Sequence, residues 1–427
     1  MIHNIAAVRA FGRWRRITGC TLACVVLVSL GGGDIRPDNL TFQFDSIVAE
    51  KRFDFLTWTL PAIAREAAQT ISSPQDYLSS DERSEVVKEF FELLGSAIDL
   101  RTIINNAYSD PNISDPIQVT EQTAVHLSDT RDELAVTVSL AEDILQEQIA
   151  SVLIREGFGV LGRIVPPVTF QITELPDLIV VSPRDRIELL MTAHLAPGLA
   201  VHEHVELESR VDDQLDEVSL VLPIAGLSSF PAMVQETTDL LHVFEIAAHE
   251  WVHLYLATRP LGLQYDSSPE LRTMNETTAN IVGKAIGFVV IKHYYPDLSQ
   301  QLDLRNPNSS LGSNSAAMFD FHGEMRETRV HVEELLASGS IAKAEAYMEK
   351  RRWVFVNNGY RIRKLNQAYF AFHGAYADKP GAAGKDMVGP TVMEFWQLSH
   401  TVKEFLEEMS RVTSLFQLQS MVASRPH

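Results

Sequence analysis

The run His249-Glu250-Trp251-Val252-His253 places two imidazoles four residues apart, with a carboxylate directly after the first. On a helix, residues at that spacing share one face, so both rings can reach a single metal ion. The surrounding LLHVFEIAAHEWVHLYLAT is apolar at helical spacing, which is the setting that gives an H-E-x-x-H run its chemical meaning. Zinc held there lowers the pKa of a coordinated water to about 7. Glu250, pointing to one side of the rings, would take the proton of that water and return it to a leaving amine, which is peptide-bond hydrolysis.

A third ligand is required, and the next helical stretch offers it. After the breakers Pro260 and Gly262, a helix is predicted from about Pro269 to Tyr295, carrying Met274-Asn275-Glu276-Thr277-Thr278-Ala279-Asn280. The intervening chain is long enough to leave the first helix, turn, and bring the carboxylate of Glu276 back to the same ion. Asn280, one turn after Glu276, faces the same way and is expected to hydrogen-bond a ligating imidazole.

These residues resemble the gluzincin metallopeptidases, in which H-E-x-x-H on one helix is completed by Glu from an N-E-x-x-x-D-like segment on the next. The resemblance implies His249, His253 and Glu276 as zinc ligands and Glu250 as general base. It departs at Asn280, where the thermolysin-like pattern has Asp; an amide accepts a hydrogen bond but brings no negative charge. A looser similarity, over residues 327–378, is to the helical C-terminal part of bacterial aminopeptidases of the gluzincin type.

Such chemistry also needs a donor for the oxyanion that forms on the attacked carbonyl. Tyr360, His373 and Tyr376 are candidates, with Tyr376 in HGAYAD the first choice. Just before the motif helix, residues 226–234 (GLSSFPAMV) read as an edge strand able to pair with a peptide, or as an ordinary edge or loop.

Composition narrows the classes. The formal net charge is −20, with 36 basic against 56 acidic residues. Arg9, Arg13, Arg15, Arg16 and Arg36 all lie in the first 36 residues against a single Asp34, so the body is more acidic still. No clustered Lys/Arg run follows, and nucleic acid is excluded as a partner. Both cysteines, Cys20 and Cys24, precede the body, which excludes a disulfide framework, a Cys zinc ribbon, an iron–sulfur site and a thiol nucleophile from it. Any metal there must take His, Asp or Glu. The arginines followed by the uncharged ITGCTLACVVLVSLGGG predict a signal or membrane anchor over residues 1–33, with the body on the extracytoplasmic side of the cell membrane, or secreted after cleavage.

Along the body, residues 34–165 are expected to be helical, including a helix capped by Ser80 and Asp81 and one ending near Gly157. Residues 166–300 form an α/β zincin-like region with strands at 168–172, 178–182 and 218–224. The polar 296–316 reads as a linker or surface loop, and 301–427 as a helical C-terminal region completing the cleft. The fold class is therefore α+β, mostly α: a small mixed sheet preceding a helical zincin-like catalytic body with two zinc-ligand helices. Three other patterns carry little. Residues 157–162 spell G-x-G-x-x-G but follow a helix, whereas a dinucleotide site follows a strand. His202-Glu203-His204 could set two imidazoles on one strand face but has no third ligand, and the acidic 212–217 faces water, with calcium binding a minor alternative.

The expected function is a membrane-anchored extracytoplasmic zinc-dependent metallopeptidase acting on peptide or protein substrates, with aminopeptidase action favoured by the looser similarity. The competing reading is a non-catalytic cell-envelope binding or assembly protein with a zincin-like fold, in which zinc is a structural staple.

Overall fold

Helix starts in this chain follow its capping chemistry. The computed structural model describes residues 39–72, 74–109, 115–305, 319–376 and 387–425. The described residues fall into two compact units, divided between Glu50 and Lys51. In the first, helix α1 (Leu40–Val48) begins at Asn39, whose side chain accepts from the Thr41 N–H. The second opens with α2 (Phe55–Ser72), α3 (Ser80–Ser109) and α4 (Pro116–Arg155). The cap of α3 is Ser79 instead of the expected Ser80 or Asp81: its hydroxyl accepts from Glu82 N while the Glu82 carboxylate accepts from Ser79 N, a reciprocal pair that satisfies two otherwise orphaned donors. Helix α4 ends before Gly157, whose φ of 92° is the left-handed conformation glycine supplies at such a stop.

The strands follow: β1 (Phe170–Thr173), β2 (Asp177–Ser182), β3 (Met191–Leu195), then helix α5 (Val201–Leu215), β4 (Val218–Leu222), β5 (Gly226–Leu227) and β6 (Ala232–Gln235). They make two three-stranded sheets, not one. The first has the order β1-β6-β5 and is mixed, with β1 parallel and β5 antiparallel to β6. The second, β3-β2-β4, is antiparallel. His202-Glu203-His204 lies on α5, not on a strand: Glu203 accepts from the Ala200 N–H, closing the first turn of a helix. His204 there pairs with Asp177 at 3.1 Å. Asp212, in the acidic run, accepts from Ser219 N and Oγ and pairs with Lys364.

The remaining elements are helical: α6 (Leu240–Leu256), α7 (Pro260–Leu263), α8 (Pro269–Tyr294), α9 (Pro296–Arg305), α10 (Phe321–Ala337), α11 (Ile341–Asn357), α12 (Gln367–His373), α13 (Val388–Gln397), α14 (Val402–Met409) and α15 (Leu415–Ala423). The chain is thus α+β and mostly α. Residues 296–305, expected as loop, form α9; Pro296 sits where a helix needs no N–H, and Asp297 lies in its first turn. One continuous apolar core runs from Val87 through Ile144, Phe170, Phe244 and Ile286 to Phe405 and Val422. A satellite cluster holds α10 against α11.

Among the described residues no helix is long and apolar enough to cross a membrane. The longest, α4 with 40 residues, carries Glu121, Asp129, Arg131, Asp132 and Glu133 within a few turns. The expected anchor at 1–33 lies outside the described residues, and the placement of the protein at a cell membrane is corrected: the described helices give it no support.

Helix α4 also closes the outer edge of the mixed sheet. Glu142 Oε1 accepts from the Ile172 N–H at 2.7 Å, and Gln146 Nε2 donates to the Phe170 carbonyl at 2.9 Å. Side chains one turn apart thereby stand in for a neighbouring strand. The cost is a buried carboxyl. Burial pushes Glu142 up to about 8. Burial and then Asp143 push Glu66 of α2 up to about 7, and burial lifts Asp143 to about 6.

Above the ordinary carboxylate range, about 4, the folded chain keeps protons there that the unfolded chain has released. The stability that this protonation contributes is complete below that range and is lost as pH rises through 6 to 8, at about 1.4 kcal/mol per pH unit for each extra proton held. The thermal midpoint is expected to fall between pH 5 and pH 8, and Glu142→Gln to flatten that slope; equal slopes for both proteins in a pH series of melts would contradict the account.

A second expectation concerns helix packing. A Cβ at Gly283 would lie 2.6 Å from the Glu245 carbonyl oxygen and 3.2 Å from His249 N, and one at Gly287 would lie 3.0 Å from Glu245 N. These glycines let α8 press against α6. By helix propensity alone, Gly283→Ala would stabilise by about 1 kcal/mol, but the clash is with backbone and cannot relax cheaply. Net destabilisation of about 1–3 kcal/mol is expected, read as a lower urea midpoint.

Candidate metal centre

Two helices supply the centre. Asp239 caps α6 by accepting from the His242 N–H, and Ser268 caps α8 by accepting from the Leu271 N–H, with Pro269 at the first turn. Trp251 Nε1 donates to the Pro166 carbonyl at 2.9 Å and fixes the turn of α6 that carries the two histidines. Helix α8 crosses against it at Gly283 and Gly287.

The result is a buried triad. His249 Nε2 lies 3.0 Å from His253 Nε2, and Glu276 Oε2 lies 3.5 Å from each. Bonds of about 2.0–2.2 Å in a tetrahedral shell put neighbouring ligand atoms about 3.3–3.6 Å apart. His249, His253 and Glu276 thus form a group that can hold a metal ion, and it is the one such group among the described residues. Glu276 Oε2 is buried with no hydrogen-bond partner, a costly arrangement for a carboxylate unless a cation answers it.

Hydrogen bonding sets the tautomer of His253. Asn275 Nδ2 donates to the Leu261 carbonyl at 3.4 Å, so its Oδ1 faces His253 Nδ1 at 2.9 Å. Nδ1 must then carry the hydrogen, leaving a lone pair on Nε2 for the ion. This is the part expected of Asn280, and the structure gives it to Asn275. Asn280 is half-buried on α8 one turn beyond Glu276, and His249 Nδ1 has no hydrogen-bond partner. Tyr265, in the turn before α8, donates its hydroxyl to Glu276 Oε1 at 2.5 Å. Neither Asn275 nor Tyr265 was expected: Asn275 is an ordinary polar helix residue, and Tyr265 lies in a turn with no periodicity to mark it.

Charge in the site is redistributed by burial. Burial alone would lower His253, but the Glu276 carboxylate beside it, helped by Glu250 and Asn275, outweighs that and moves the ring up to about 9. Burial would raise Glu276, but His253 and His249 hold it well below the usual range. Glu250, 5% exposed, is pushed up by burial, which outweighs the neighbouring histidines. Tyr376 is driven well above the usual phenol range by burial and then by Glu276, Tyr265 and Glu250, so it stays a donor.

The triad opens on a cavity of about 470 Å³. Gly226, Leu227 and Ser228 of β5 and its following turn form one wall, Leu178, Leu189, Ile224 and Phe372 an apolar one, and Tyr376 lies beside His249 with ring centroids 6.4 Å apart. Of the three donor candidates, Tyr376 alone lines this cavity. Tyr360 lies against Phe321 on the exposed side of the satellite cluster, and His373 packs on Tyr369, where burial lowers it to about 4.

Gly226 lies directly over Glu250. A Cβ there would fall 2.3 Å from Glu250 Oε1 and 2.6 Å from Ile246 Cγ2. Gly226→Ala should therefore displace the Glu250 carboxylate while leaving the triad, on α6 and α8, able to bind a divalent ion. Calorimetric titration with zinc checks this: a metal affinity lost along with the glycine would contradict the separation of the two functions.

Compared with protein-family models, with curated proteins and with solved structures, the chain has no match.

Proposed function

We propose that the chain is a zinc-dependent metallopeptidase with a zincin-like catalytic body of the gluzincin type, His249, His253 and Glu276 holding the ion. The observation that carries this reading is the convergence of three buried ligand atoms, 3.0 to 3.5 Å apart, on a cavity that also receives Glu250. Two imidazoles and one carboxylate suit zinc, and three protein ligands leave a fourth position open, as catalytic zinc sites do and structural ones do not. That favours the enzyme over a binding protein with a zinc staple. When bound, the ion supplies a Lewis acid that polarises a carbonyl and acidifies water.

The chain's own residues divide the remaining work. Glu250, buried beneath β5, accepts a proton from the attacking water at its carboxylate and delivers it to the departing nitrogen. Burial raises its proton affinity above that of a solvated carboxylate, which favours taking that proton. Tyr376, held protonated, donates to the carbonyl oxygen as negative charge develops there. The extended segment at β5 pairs with the main chain of a peptide, and Leu178, Leu189, Ile224 and Phe372 receive an apolar side chain. Aminopeptidase action is the narrower form of this reading; it rests on the similarity of residues 327–378.

Glu250→Gln removes the base but not the ligands. Zinc content should stay at the wild-type level, while cleavage of a mixed peptide library falls about 10²–10⁴-fold. Wild-type protein that binds zinc and cleaves no peptide would move the reading to the binding protein.

A further inference from the structure

A carboxylate can meet a metal ion through one oxygen or two, and the choice decides how many positions remain for substrate and water. In this chain the choice is made by a turn residue. Tyr265 donates to Glu276 Oε1 at 2.5 Å, whereas Oε2, with no hydrogen-bond partner, is the atom facing both histidines at 3.5 Å. The two oxygens of one side chain are thus put to different uses.

We infer that Tyr265 is a positioning residue: its hydroxyl occupies Oε1 so that Glu276 meets the ion through Oε2 alone. The inference rests on the zinc reading of this site. A phenol facing a carboxylate donates its hydroxyl hydrogen, so Oε1 is the acceptor. The ring is itself held in place. It stands perpendicular to the His253 ring with centroids 6.3 Å apart at 86°, the Arg272 guanidinium lies 5.4 Å over it, and Asp266 fixes that guanidinium at 2.7 Å. The order of support runs from the Asp266–Arg272 pair to the ring, from the ring to Oε1, and from Glu276 to the ion. A ligating carboxylate with its outer oxygen hydrogen-bonded is fixed in orientation before metal arrives, and such partners typically contribute 10- to 100-fold in metal affinity.

The test uses the full chain and two metals. Zinc affinity is measured by competition with a chromophoric chelator, and the cobalt-loaded protein is examined by visible absorption, whose intensity falls as coordination rises from four to five. Tyr265→Phe keeps the ring and removes one oxygen. It should lower zinc affinity about 10- to 100-fold and weaken the cobalt band as Oε1 turns to the ion. Asp266→Asn, at a side chain 82% exposed, cannot disturb the core and should give a smaller change in the same direction. Wild-type affinity and an unchanged cobalt band in Tyr265→Phe would overturn the inference while leaving the metal centre intact. Should that variant fail to fold, the same unchanged result in Asp266→Asn overturns it. A wild-type protein that binds neither metal would overturn the zinc reading itself, and the inference with it.

Discussion

The close approach of α6 and α8 is the constraint on which the rest of the site depends. Both ligand helices would form without it, since each has its own cap and apolar face. What caps and periodicity do not supply is the distance between the helices. Gly283 and Gly287 remove the side chains that would hold α8 away from the Glu245 backbone, and this sets the height at which Glu276 stands relative to His249 and His253. A slip of one turn would carry the carboxylate about 5.4 Å along the axis, beyond reach of both rings. Geometry at the centre is therefore a packing result before it is an electrostatic one.

Electrostatics then separates two carboxylates that share one cavity. Glu276 and Glu250 are equally buried, each 5% exposed, yet their proton affinities move in opposite directions. Glu276 faces the Nε2 atoms of two imidazoles, whose charge and hydrogen bonding hold it ionised. Glu250 sits under the backbone of β5, where little opposes the cost of burial. Environments that push like groups apart give one site two carboxyls of different proton affinity, as the proposed ligand and proton carrier require. The asymmetry arises from position alone, because the side chains are chemically identical.

Much of this was legible in the chain. The two helices announced themselves through the breakers Pro260 and Gly262, the start at Pro269 and an apolar period, and the candidate triad followed from residue type and spacing. The finer hydrogen bonding did not. Helix periodicity pointed from Glu276 to Asn280, one turn on, but His253 Nδ1 reaches sideways to Asn275, the residue before the ligand. A heptad or a turn predicts which side chains share a face; it does not predict which of them a ring on another helix meets. β3, with Met, Thr, Ala, His and Leu, lacks a β-branched run and is a strand because β2 pairs with it. Residues 202–204 failed in the opposite way: three polar residues look like a strand face until Glu203 closes the first turn of α5. Tyr265 had no periodic signal of any kind, for its place is set by the turn that returns the chain from α6 to α8.

The sealing of β1 by Glu142 and Gln146 has a consequence for the opposite side of the same sheet. A strand edge left open is an invitation to any extended chain, including another copy of the protein. Here the edge remote from the metal ligands is spoken for by side chains of α4, so the strand order β1-β6-β5 has polarity: one closed margin and one, at β5, that borders the cavity. On the peptidase reading, an extended chain joining this sheet would do so from one side only, at the margin where Glu250 lies underneath.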